Sequence, residues 1–168
     1  MMKFFVLLTP LFFLVSCGYH LGNTKPASLN QVKSISVPML SNSTLHPRAE
    51  AIATSAVINA LVQDGSYQIK KSELADAVLE ANLLEIKYSA IRGTRLDTLR
   101  PEELSNTVTI SWKLLDAKDR TKILASGKSQ GSSQLFASSN LQTARNAALP
   151  EACERAGEAL VSVLANGY

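Results

Sequence analysis

The chain has 168 residues, with 17 Lys and Arg against 14 Asp and Glu, a net charge of +3, 46% apolar residues and two cysteines. So mild a positive balance argues against nucleic acid as a partner. The length suits one domain able to bury a single sizeable core.

Lys3 gives a positive start, residues 4–15 form a short apolar run, and Leu14-Val15-Ser16-Cys17 sets a cysteine directly behind a small residue. The run contains Pro10 and is shorter than the roughly 20 apolar residues that a bilayer span needs. The arrangement resembles the bacterial lipoprotein signal, which implies a signal peptide over residues 1–16 and acyl chains, palmitate among them, on Cys17. Two or three such chains, at ~0.8 kcal/mol per buried methylene, anchor a chain with no protein segment in the bilayer. With Cys17 lipidated, Cys153 has no disulfide partner and is expected to pack as a small buried apolar residue.

Residues 17–31 read as a lipidated tether, because Gly22, Asn23, Thr24, Pro26 and Ser28 break any period. Residues 32–168 then form the expected α/β domain. Ile35 and Val37 alternate with Ser34 and Ser36, which predicts a first strand over 32–38. Residues 40–43 read as a polar turn, and Ser43 or Thr44 as the cap of a helix whose first turn tolerates Pro47. Ala49, Ile52, Ala53, Ala56, Val57, Ala60 and Leu61 form one helical stripe, and Gly65 stops it.

Residues 67–70 begin a second extended segment, and from Asn82 onward Leu84, Ile86, Tyr88 and Ala90 alternate with Glu85, Lys87 and Ser89. Residues 74–84 also fit a helical period; a kinked or bulged strand is the preferred reading. Residues 93–103 are expected to be a loop. Val108, Ile110, Trp112 and Leu114 then alternate with Thr107, Thr109, Ser111 and Lys113 in the clearest strand of the chain. A turn over 116–122 and a weaker strand over 123–131 follow, then a serine-rich loop over 132–140. A second amphipathic helix carries Leu141, Ala144, Ala148, Ala152, Ala156, Ala159, Leu160 and Val163, and Pro150 is expected to kink or split it.

The order β-α-β-β-β-α predicts an α/β two-layer sandwich: a four-stranded, mostly antiparallel mixed sheet with two helices on one face. A right-handed crossover sets the first two strands parallel. The uncovered face would display Glu85, Lys87, Thr107, Thr109, Ser111 and Lys113, or the converse set if the register is otherwise. Such a face is either solvated or housed in a water-lined cavity of a partner.

Catalytic chemistry is not evident. His20 and His46 have no ligand cluster around them, and no phosphate loop, nucleophile elbow or Cys-His pairing stands out, so no enzyme activity, metal or cofactor is expected. Two basic loops remain. Arg92, Arg95 and Arg100 cluster between the second and third strands, diluted by Asp97, Glu102 and Glu103, while Lys118, Arg120 and Lys122 occupy the next turn. Guanidinium groups suit phosphate, although a solvated loop with local ion pairs is the preferred reading of the residues alone. A meander puts the two loops at opposite ends of the sheet, with the arginines distal to the anchor.

Cys17-Gly18-Tyr19-His20-Leu21, Ile35-Ser36-Val37-Pro38 with Asn42-Ser43-Thr44, Ala75-Asp76-Ala77-Val78-Leu79 and the closing alanine-rich helix resemble the LPS-assembly lipoprotein family LptE. The resemblance spans nearly all of the chain after Cys17 and implies a small α/β sandwich. It further implies a role in plugging and assembling the outer-membrane β-barrel LptD and in delivering lipopolysaccharide to the outer leaflet. Gly18, in place of aspartate, agrees with outer-membrane sorting. The six basic loop residues become candidate glycolipid contacts. The Val37-Pro38, Asn42-Ser43-Thr44 and Ala75-Asp76 segments are also similar to accessory lipoproteins of the curli-secretion type. Those self-assemble or serve an envelope transporter.

Overall fold

The computed structural model describes residues 25–94, 101–136 and 140–167, so the expected signal, Cys17, Arg95 and Arg100 lie outside the described residues. Its elements are β1 (Ser34–Ser36), β2 (Ser41–Asn42), α1 (Ala49–Asp64), β3 (Gln68–Ile69), β4 (Ala77–Thr94), β5 (Pro101–Asp116), β6 (Ile123–Phe136) and α2 (Leu141–Asn166). One mixed sheet runs β3-β1-β4-β5-β6, with β2 also on β4. The three short strands pair in parallel and the three long ones are antiparallel, as the α/β sandwich expectation required.

The expected first strand is divided in two. Ser36 pairs with Val78 and Ser41 with Asn82, so one extra residue is accommodated between β1 and β2 as both run along β4. Residues 40–43 are therefore not a polar turn: Leu40 is buried and Ser41–Asn42 is strand. The expected second strand also divides, because β3 and β4 flank β1 on opposite sides. Across the ambiguous stretch 74–84 the structure is strand from Ala77 onward, with register shifts at Leu83/Glu85 and Ala90/Arg92.

The cap of α1 departs from expectation. Its N-cap is Arg48, in the left-handed region at φ 63° and without a side-chain cap bond. Asn42 organises the preceding loop instead: Oδ1 accepts the Thr44 N–H (2.9 Å) and hydroxyl (2.7 Å), and Nδ2 donates to the His46 carbonyl (2.9 Å) and Glu50 Oε2 (2.8 Å). Pro47 thus precedes the helix. The stripe of α1 is buried as expected at Ala49, Ala53, Ala56, Val57, Ala60 and Leu61, and Gly65 ends the helix at φ 73° with its N–H on the Leu61 carbonyl.

Parts of the two expected loops are strand, since β4 reaches Thr94, β5 starts at Pro101 and β6 continues to Phe136, while residues 95–100 and 137–139 lie outside the described residues. The serine-rich end of β6 is held by α2, with Ser133 Oγ donating to the Ala148 carbonyl (2.7 Å) and Arg155 Nη1 to the Ser132 carbonyl (2.6 Å). α2 runs unbroken through Pro150. Pro150 is exposed, as is Asn146, whose carbonyl loses its donor, so solvent replaces the missing bond.

Both helices cover the same sheet face. Leu79, Leu83, Val108, Ile110, Trp112 and Leu114 meet Val57, Leu61, Leu149, Cys153, Leu160 and Leu164 in the main core. Small residues set the approach: a Cβ on Gly157 would lie 3.2 Å from the Ala56 carbonyl group of α1, and one on Gly131 would overlap the backbone of α2. Residues 25–31, expected within the tether, are docked. Leu29 is buried, and Lys25 Nζ donates to the Ser66 carbonyl (2.7 Å) and sits 4.0 Å over the Tyr67 ring.

Candidate functional site

The uncovered sheet face is polar because strand parity sends every second residue away from the helices. Glu85 lies opposite Thr109 and Lys87 opposite Thr107, while Lys113 lies between Glu80 and Ser126 and Ser111 between Asn82 and Lys128. These are the residues that alternation assigned to this face. Gln130 Nε2 donates to Thr109 Oγ1 across the strands (3.2 Å). An open groove of about 560 Å³ crosses the face, lined by Ser41, Glu80, Asn82, Ser111, Lys113 and Lys128 among others. Leu84, 40% exposed at the β4 bulge, interrupts the polar surface.

Lys118, Arg120 and Lys122 occupy the β5–β6 turn. Asp116 Oδ1 accepts the Lys118 (2.9 Å) and Asp119 (3.3 Å) N–H groups, and Asp119 Oδ1 accepts the Thr121 hydroxyl (2.6 Å) and N–H (3.0 Å). These donors hold both carboxyls below the usual range, led by the Lys118 N–H for Asp116 and by the Thr121 hydroxyl for Asp119. Arg120 Nη1 is 3.6 Å from Glu80 Oε1 with both side chains about half exposed, a weak pair. Three carboxylates therefore balance the three cations. The turn adjoins a cavity of about 320 Å³ that Asp76, Ser28 and Gln31 also line, at the end of the sheet where the N-terminal segment docks.

The other basic group is remote from it. Arg92 is in β4, opposite Glu103 near the far end of the β4–β5 hairpin, and Arg95 and Arg100 lie outside the described residues. Since β1 and β4 are parallel, that end is distal to the start of β1, as the meander required. Among the described residues, Arg92 and the Lys118, Arg120 and Lys122 turn thus do not come together.

Two features escaped the sequence reading. Asp76 Oδ2 accepts the N–H groups of Lys33 (3.1 Å) and Ser34 (2.9 Å) and the Ser34 hydroxyl (2.8 Å), clamping the starts of β1 and β4 together. Tyr88 and Asn106, neighbours across β4–β5, face the helices near Arg145, whose guanidinium carbon is 4.6 Å from the Tyr88 ring centroid. The phase of Asn106, two residues before Val108, could have marked it as inward-facing.

His46 places Nε2 3.1 Å from Asn146 Oδ1 and Nδ1 3.2 Å from the Pro47 carbonyl. Among the described residues no three His, Cys, Asp or Glu side chains converge as a metal site, and no helix is long and apolar enough to cross a membrane.

The family model described as LptE, lipopolysaccharide-assembly, matches residues 32–164. No curated protein matches the chain. Among solved structures the chain is similar to a protein of Xanthomonas campestris, at 16% identity over 83% of this chain and 86% of that one, with TM-score 0.58. It is similar also to a hypothetical protein of Chlamydia trachomatis (11% identity, 82% and 99% covered, TM-score 0.56). A minor lipoprotein of Acinetobacter baumannii follows (9% identity, 81% and 94% covered, TM-score 0.55). At these identities the likeness shows a shared fold.

Proposed function

Since the chain belongs to the lipopolysaccharide-assembly LptE family, we propose that it is an outer-membrane lipoprotein that plugs and helps assemble an LptD-type β-barrel and assists lipopolysaccharide delivery to the outer leaflet. Cys17 carries the lipid anchor in this reading, and no catalysis is involved. The observation that carries it is the polar sheet face opposite the helices. A long sheet whose uncovered face exposes Glu85, Lys87 and Lys113 and leaves Thr107 and Ser111 half-exposed suits a wet lumen, where bonds to water exchange for bonds to polar barrel side chains at small net cost.

The glycolipid contacts are assigned to the distal group, Arg92, Arg95 and Arg100, ahead of Lys118, Arg120 and Lys122. Asp116, Asp119 and Glu80 offset the charge of the latter turn.

The test is purification of a C-terminally tagged chain from native membranes in mild detergent, with identification of what accompanies it. A large β-barrel at one-to-one stoichiometry supports the reading. A homo-oligomer, or a complex with an inner-membrane transporter, overturns it. Ser111→Glu together with the exposed Lys113→Glu should release the barrel while leaving the circular dichroism spectrum unchanged. Full retention by that variant would remove the sheet face from the interface.

A further inference from the structure

Four buried side-chain polar atoms among the described residues have no hydrogen-bond partner: Tyr88 Oη, both amide atoms of Asn106, and Arg145 Nε. They belong to three neighbouring residues. Asn106 is fully buried and lies opposite Tyr88 on β4. Its other cross-strand neighbour, Ser133, donates its hydroxyl to the Ala148 carbonyl. Buried polar atoms are nearly always paired in folded proteins, with protein, water or a bound group. So concentrated a set of atoms unpaired within the protein marks a place suited to binding a polar group.

A cavity of about 260 Å³ opens beside these residues, between β4, the loop before α1 and the first turns of α2. Tyr88, Arg145, Gln142 and His46 supply its polar wall; Leu45 and Ile86 are on its apolar side. No carboxylate lines it. Neither ion pair among the described residues uses Arg145. The N-terminal end of α2, a helix of 26 residues, adds positive potential to that of the guanidinium. Burial raises the Tyr88 pKa against a smaller opposing effect of Arg145, so its hydroxyl remains a donor. Leu45, fully exposed at the rim, offers an apolar rest beside the charge.

We propose that this cavity is an oxyanion site that takes a phosphate or carboxylate group, with Arg145 and Tyr88 as its donors. The apolar rim favours an anion carried on an acyl or other apolar body over a free solute. The inference is independent of the barrel reading, because it concerns the helix-covered face and requires no second protein.

The Arg145 Nε–H resonance of the full chain in non-ionic detergent, assigned by its loss in Arg145→Lys, reads the site directly. The probes are inorganic phosphate, dihexanoyl phosphatidic acid and, as the uncharged control, dihexanoyl glycerol. A saturable shift is expected with both phosphate probes and none with the glyceride. Binding of the lipid at least tenfold tighter would identify a headgroup as the source, and equal affinities would identify a free anion. Arg145→Gln should weaken either, followed through the amide resonances, at least tenfold. The exposed Gln142→Glu, which puts a negative charge at the mouth, should do the same without disturbing the fold. No saturable shift up to tens of millimolar, or unchanged affinity in both variants, would overturn the proposal.

Discussion

Gly131→Ala tests how closely α2 sits on the sheet. Gly131 faces the helix from β6, and an added Cβ would overlap Ala156 N and the Ala152 carbonyl oxygen and lie 2.7 Å from the Arg155 carbonyl carbon. Ordinary carbon contacts are roughly 3.5–4.0 Å, so α2 would have to rise by about 1 Å. All three obstructing atoms are backbone and cannot be relieved by a rotamer change. Sliding toward α1 is blocked, because Gly157 already approaches Ala56 and Val57 there. Overpacking of this kind costs about 3 kcal/mol, reduced by ~0.5–1 kcal/mol because alanine restricts the unfolded chain more than glycine does. The expected net loss is therefore about 2 kcal/mol, or roughly 4–8 °C in Tm for a chain of this size. Urea unfolding followed by the emission of Trp112, the single tryptophan and 3% exposed, measures it. Gly65→Ala is the control: its φ of 73° is strained for alanine but nothing lies within 4 Å, so it should lose about 1 kcal/mol. A loss below about 0.5 kcal/mol at Gly131 would refute the close seating of α2.

Asp76→Ala removes three bonds to one carboxylate oxygen, and because that carboxylate is exposed the expected loss is only about 1–2 kcal/mol. The Ser34 hydroxyl, then the Lys33 N–H, hold the Asp76 carboxyl below its ordinary 3.8. Its contribution is whole above the unfolded value and fades as pH falls through the lower folded one. Asp76→Asn should consequently flatten the difference between urea midpoints at pH 7 and pH 3, and an unchanged difference would reject the clamp. Cys153 is fully buried, with its thiol pushed up to about 12 by burial and, secondarily, by Glu154. A thiol reagent at pH 8 should find no reactive group in the folded chain and one in urea. Two in urea would remove the lipid from Cys17.

The helices were legible because their apolar stripes have a period that only a helix buries on one side, and β5 because Val108, Ile110, Trp112 and Leu114 alternate without interruption. The same parity identified the polar face. What was not legible depends on partners distant in sequence. Residues 132–136 are strand because Glu103 to Thr107 pair with them and α2 accepts and donates at Ser133 and Ser132, although Ser and Gln carry little strand preference. The break between β1 and β2 exists only in their register against β4. Local capping logic placed Ser43 or Thr44 at the start of α1, whereas Asn42 takes up the Thr44 groups and the helix starts five residues after Thr44. The cluster of Tyr88, Asn106 and Arg145 needs three elements to assemble, so its chemistry appears only in the fold.

The two basic groups can be separated by geometry if Cys17 is the anchor. Lys25 is docked on the protein, so the chain from Cys17 to Lys25 spans at most about 29 Å. The Lys118–Lys122 turn shares that end of the sheet and therefore stays near the anchoring leaflet. β4 has 18 residues, about 60 Å of strand, which exceeds the ~40–45 Å thickness of a bilayer with its headgroups. A chain seated lengthwise in a barrel lumen could thus keep its base at the anchored side while the end bearing Arg92 reaches the opposite leaflet. Replacing Arg92, Arg95 and Arg100 with alanine should weaken a titrated phosphorylated glycolipid at least tenfold, while the same replacements at Lys118, Arg120 and Lys122 should change it less than threefold. Equal losses from both triple variants would mean that charge, not position along the sheet, governs the contact, and the lengthwise arrangement would fall.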